Sequence, residues 1–196
     1  MNLPNRLTLA RLGLTVFFLA GLLTEFPWHD SLALVIFIAA SLTDFFDGRI
    51  ARRDNLITNF GILMDPLADK ILICSAFIGF VGRGFMPAWM VVIVVARELA
   101  ITGLRMLAAN KSLVLAAEGY GKHKTISQIV AIIAVLVEVS YAQWGLVGKA
   151  IFGFHLFGGP WVVGFAELSK WVAVLLTLLS GSLYLWRNRS LYLNDM

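Results

Sequence analysis

The chain has 196 residues, of which 59% are hydrophobic and 14% charged, with one cysteine and a formal net charge of +4. That composition excludes a soluble domain of this size, and the lone Cys74 excludes an intramolecular disulfide and is expected as a small core residue. In so apolar a chain the modest positive charge reports loop charge and anionic lipid, and it gives no argument for nucleic acid. The expected class is an all-α polytopic membrane protein, one domain over 1–196, with about six transmembrane helices of roughly 20 residues each and a short N-terminal amphipathic helix.

Taken in order, residues 1–11 place Pro4 and spaced leucines among polar residues, which suggests the amphipathic surface helix. Read instead as a flank, Arg6 and Arg11 orient the first span, expected at 8–24. No cleavable secretory signal is expected. Residues 25–30 read as a turn, with Trp28 at the interface and His29 solvated. The second span starts near Ser31 and runs to Arg52, past the membrane. A tight link, 53–58, ends at Thr58, a plausible N-cap for a third span at about 59–81 that is also placed to touch donor phosphate. The fourth span is expected from Pro87 to Leu107, the fifth over 124–143 and the sixth over 167–186. Between the last two, the glycine-rich stretch 144–166 predicts a loop with a short helical piece.

With six spans, Arg6, Arg11, Arg49, Arg52, Arg53, Arg97, Arg105, Lys111, Lys122, Lys124, Arg187 and Arg189 fall on one side, against Arg83 and Lys149 on the other. The positive-inside rule then puts both termini in the cytoplasm.

The stretch Asp44 to Asp69 carries the chemistry. Asp44, Asp47, Gly48 and Ala51 recur at i, i+3, i+4 and i+7, one helical face, with Arg52 at its edge. Gly61, Asp65 and Asp69 recur at i, i+4 and i+8 on a second helix. Carboxylates at membrane depth need partners, and four at close range cannot all stay ionised without cations between them. All-oxygen ligands point to a hard cation, Mg²⁺ first and Mn²⁺ second, and four aspartates are enough for two ions. Small residues beside them leave room for close approach to the backbone. Arg52 supplies a planar fork for phosphate oxygens. Together these describe a nucleotide-diphosphate site.

The pattern Asp-x2-Asp-Gly-x2-Ala-Arg-x8-Gly-x3-Asp-x3-Asp resembles the signature of the CDP-alcohol phosphotransferases, with every fixed position filled. That family moves a phosphatidyl or similar group from a CDP-linked donor to an alcohol and releases CMP. The resemblance implies that Asp44, Asp47 and Asp65 bind metal, that Asp69 binds metal or acts as the base, and that Gly48, Ala51, Arg52 and Gly61 surround the CDP moiety. It also implies a homodimer.

Arg97, Arg105, Lys122 and Lys124 share the expected cytoplasmic ends of the fourth and fifth spans. On charge alone they read as topology determinants and headgroup contacts; read functionally, they form an anion pocket for a phosphate-bearing acceptor. Arg97-Glu98 and Gly121-Lys122-His123-Lys124-Thr125 resemble the branch of the family whose acceptor is glycerol 3-phosphate, as do Asn5, Thr8 and Arg11 before the first span. The resemblance thus implies transfer from CDP-diacylglycerol to sn-glycerol 3-phosphate in a bacterial cytoplasmic membrane, with the site facing the cytoplasm. Other acceptors (inositol phosphate, serine, phosphatidylglycerol) share the chemistry. A transporter using buried aspartates as a cation or proton relay is the rival from another class, although such a relay needs neither Arg52 nor the small residues.

Overall fold

The computed structural model describes residues 3–53, 59–110, 120–156 and 158–193; the side chains at 3–4, 44–53, 59–63, 65–66, 110, 120–122 and 193 also lie outside the described set. The elements are α1 (Leu3–Leu23), α2 (His29–Arg53), α3 (Asn59–Gly82), α4 (Ala88–Asn110), α5 (Tyr120–Ser140), a 3-10 turn (Tyr141–Trp144), α6 (Gly145–Phe152), the two-residue strands β1 (His155–Leu156) and β2 (Gly159–Pro160), α7 (Trp161–Arg187) and α8 (Ser190–Leu193). The all-α expectation holds. Six helices, α1 to α5 and α7, have 21 to 27 residues, long enough for a hydrocarbon core of about 30 Å at 1.5 Å per residue. Among the described residues, Asn5–Leu23, His123–Phe152 and Trp161–Arg187 are long and apolar enough to cross a membrane, and His29–Thr43 is a shorter apolar run.

Local chemistry sets the helix ends. Asp30 lies in the first turn of α2, where a carboxylate meets the positive end of the helix dipole. At the end of α3, Gly84 takes φ +73°, the Phe85 N–H donates to Phe80 O at 2.8 Å and the Gly84 N–H to Val81 O at 3.0 Å. This is the six-to-one and five-to-two closure that glycine makes possible at a helix C-terminus.

The helices pack through small residues and aromatic rings. α1 lies on α2 and α3, α5 on α7 and α2, and α7 also on α4. A Cβ at Gly79 of α3 would stand 2.5 Å from Leu22 Cδ2 of α1, so glycine lets that crossing close without moving the leucine methyl. Phe18, Phe37, Phe77 and Phe80 are fully buried, with Phe18 and Phe37 rings 5.6 Å apart. The outside is apolar as well: Val16, Phe17, Val35, Val92, Leu99 and Leu168 are all more than half exposed. A surface of that kind is stable against acyl chains and not against water, and the protein is an integral membrane protein.

Three local expectations are corrected. The N-terminal segment does not form a separate short amphipathic helix; Leu3–Leu23 is one helix, because nothing after Pro4 interrupts its hydrogen bonding. His29 is no solvated loop residue: it opens α2, with Nδ1 3.3 Å from the Asp30 carboxylate and 3.4 Å from Arg83 Nη1. Within 144–166 the expected short helical piece is α6 at 145–152, but α7 begins at Trp161, ahead of the expected 167, and runs through Gly164. The Trp161 indole N–H donates to Ile151 O at 2.8 Å and its ring stacks on Phe152 at 5.9 Å, so aromatic contacts close a connection that its glycines suggested would stay open.

Candidate active site

The last turns of α2 carry Asp44, Asp47, Gly48, Ala51 and Arg52, and the first half of α3 carries Gly61, Asp65 and Asp69. Both segments are helical throughout, so each spacing becomes one stripe along its helix. The two helices touch and lie close together in the chain, α2 ending at Arg53 and α3 beginning at Asn59. The side chains of Asp44, Asp47, Gly48, Ala51, Arg52, Gly61 and Asp65 lie outside the described residues, as does Thr58 altogether. Among the described residues, no three His, Cys, Asp or Glu stand close enough to hold a metal ion. The donor set itself fits a hard divalent cation: four carboxylates, two on each of two touching helices, with no His or Cys among them.

Asp69 is described, and it is half-buried. Around it stands a polar belt contributed by α3, α4, α5 and α7. Lys70, beside Asp69, donates to Thr102 Oγ1 of α4. Thr102 in turn donates to Glu98 O at 2.7 Å. Glu98 is 7% exposed, and its Oε1 accepts from Lys124 Nζ of α5 and lies 3.4 Å from Arg97 Nη1. Lys70 is within electrostatic reach of Glu98, Arg105, Asp69 and Arg97, and Lys124 within reach of Glu98, Arg97 and Asp69. The base candidate and the basic cluster therefore belong to one region.

Of the expected anion pocket, Arg97 and Lys124 come together through Glu98. Arg105 turns toward α7, its Nε 3.5 Å from Tyr184 Oη and its guanidinium 5.7 Å from that ring. The Lys122 side chain lies outside the described residues. Thr8 and Arg11 are fully buried on α1 and Asn5 is half-buried. α1 is folded back along α2, so its N-terminal turns share an end of the bundle with the aspartates.

As site residues, sequence reasoning missed Lys70, Gln128 and every side chain of α7, the expected sixth span. Lys70 had a signal, its place directly after Asp69. Gln128, fully buried, donates to Thr177 Oγ1 of α7 at 3.0 Å. Ser180 and Tyr184 of α7 meet Arg97 and Arg105. A cleft of about 320 Å³ opens between α4 and α7, with Arg97, Thr177, Gly181 and Ser182 among otherwise apolar walls.

This arrangement, with the aspartate pattern on two touching helices and a basic belt around Asp69 inside a membrane bundle, agrees with a family match covering residues 1–179: the chain belongs to the CDP-alcohol phosphatidyltransferase family. It is 40% identical over 199 residues to the CDP-diacylglycerol–glycerol-3-phosphate 3-phosphatidyltransferase of Bacillus subtilis, covering 95% of each chain. The protein of the same name from Rickettsia bellii is 33% identical over 183 residues, 93% of each chain. A probable phosphatidylglycerophosphate synthase of Mycobacterium tuberculosis is 42% identical over 134 residues, 67% of this chain and 64% of that one.

Proposed function

We propose that the protein transfers the phosphatidyl group of CDP-diacylglycerol to sn-glycerol 3-phosphate, giving phosphatidylglycerophosphate and CMP. The observation that supports this best is the complete aspartate pattern on α2 and α3, set beside a basic belt that suits a phosphate-bearing acceptor.

In this reading the acceptor hydroxyl oxygen attacks the phosphorus that carries the diacylglycerol. The new P–O bond forms as the bond to CMP breaks, and Asp69 takes the hydroxyl proton. Gly48, Ala51 and Gly61 leave space for the nucleotide, while Arg52 and Thr58 reach its phosphates. Arg97, Arg105, Lys122 and Lys124 hold the acceptor phosphate, and Asn5, Thr8 and Arg11 close the site from α1. Asp44, Asp47, Asp65 and Asp69 would hold two divalent ions, Mg²⁺ or Mn²⁺, which supply neutralisation of diphosphate charge. Six spans, a homodimer and a bacterial cytoplasmic membrane complete the proposal. The basic residues at the aspartate end of the bundle support a site facing the cytoplasm, where a water-soluble acceptor meets a lipid donor.

The test is CMP release by purified protein with CDP-diacylglycerol and a panel of acceptors. Saturable release with glycerol 3-phosphate, and little with serine, inositol phosphate or phosphatidylglycerol, is the expected result. A preference for any of those three overturns the acceptor, and no CMP release with any acceptor overturns the reaction.

A further inference from the structure

Arg97 is held from a side that the aspartate pattern does not predict. A Cβ built on Gly181 of α7 would stand 2.7 Å from Arg97 Cγ and 3.7 Å from its Nε. Cγ belongs to the stem of the side chain, so a residue larger than glycine at 181 shifts that stem and the guanidinium it carries. Gly181 lies inside α7, where glycine weakens a helix relative to alanine. What glycine provides here is room. Beside it, Ser180 Oγ donates to Thr177 O at 3.2 Å and accepts from Arg97 Nη2 at 3.4 Å. On the other side, Nη1 lies 3.4 Å from Glu98 Oε1.

These two contacts are long for a guanidinium. The Arg97 side chain is only 14% exposed, and its buried Nε has no partner among the described residues. A buried arginine with loosely used donors and one unused is suited to an incoming oxyanion. We infer that Gly181 and Ser180 of α7, together with Glu98, are positioning residues that seat the Arg97 guanidinium for the acceptor phosphate. The inference rests on the acceptor reading above, and it adds α7 to the site. Ser180 and Gly181 lie just beyond residue 179, where the family match ends.

The experiment uses the full chain in phospholipid-detergent micelles, with two readouts. In the first, Gly181→Ala raises the KM for glycerol 3-phosphate by about tenfold and Ser180→Ala by about threefold. For both, the KM for CDP-diacylglycerol and kcat stay within about twofold. Ser180→Thr, which keeps the hydroxyl, retains the wild-type KM. In the second, inorganic phosphate alone raises the thermal midpoint of the wild type, and this protection falls in Gly181→Ala. If Gly181→Ala folds and keeps the wild-type KM for glycerol 3-phosphate, the seat is overturned. A uniform loss, with both KM values and kcat moving together, overturns it also, since that is what a merely structural role gives. If the wild type does not use glycerol 3-phosphate, yet phosphate protection falls in Gly181→Ala, the acceptor reading fails and the anion seat stands.

Discussion

Arg83 shows what a single charge requires inside this bundle. Its Nη1 donates to Asp30 Oδ1 at 2.6 Å and to Leu22 O at 2.9 Å, and its guanidinium lies 4.7 Å from the Phe85 ring centre. Asp30 is 4% exposed, so removing the arginine leaves a buried carboxylate without its main partner. Arg83→Met should destabilise the protein by about 3 kcal/mol, seen as a lower thermal midpoint. KM for both substrates should not change, because Arg83 follows the far end of α3, roughly 20 Å from Asp69 at 1.5 Å per residue. A shift in either KM would show that this cluster acts on the site. The aspartates make the opposite case. Asp44→Asn, Asp47→Asn and Asp65→Asn should each remove most of the CMP release while leaving the protein folded, and excess chelator should do the same to the wild type. Full activity in chelator would sink the divalent-ion proposal.

Helix periodicity turns these residues into surfaces. On α2, Gly48 and Ala51 lie on the same stripe as Asp44 and Asp47. Gly48→Leu or Ala51→Leu puts bulk where the nucleotide is proposed to lie. Each should raise the KM for CDP-diacylglycerol by about tenfold or more, a cost of at least 1.4 kcal/mol, with the protein still membrane-inserted. An unchanged donor KM at both positions would move the nucleotide elsewhere. α4 plays a different part, because its Arg97, Glu98, Thr102 and Arg105 contact α3, α5 and α7. Its role was half legible beforehand: Arg97 and Arg105 stood out as charges on an apolar helix. Glu98 was visible only as a neighbour of Arg97, since nothing local shows that a carboxylate will meet a lysine 26 residues later.

The whole molecule is a bundle whose outer surface is apolar on many sides. Exposed Val92, Leu99, Leu168, Leu175 and Leu179 on α4 and α7 suit lipid or a second copy of the chain equally well. The homodimer proposal predicts twice the chain mass of 21.6 kDa in mild detergent. A mass measurement that finds monomer alone, at concentrations where the enzyme is active, would remove it.

Amino-acid order alone determined the membrane class, the long helices and the placing of Asp44, Asp47, Asp65 and Asp69 on two stripes, because spans and stripes follow from local composition and from 3.6 residues per turn. Local pattern erred where nonlocal aromatic contacts outweigh glycine, as around Trp161, where helix replaces the expected loop. Only the tertiary structure decided which helix faces the basic residues. Ser180 and Gly181 read along the chain as small residues in an apolar span. They acquire a role because α7 packs on α4, so that one accepts from Arg97 and the absent side chain of the other leaves room for its stem. Packing of that kind depends on surfaces brought together from distant parts of the chain, and no spacing within one helix encodes it.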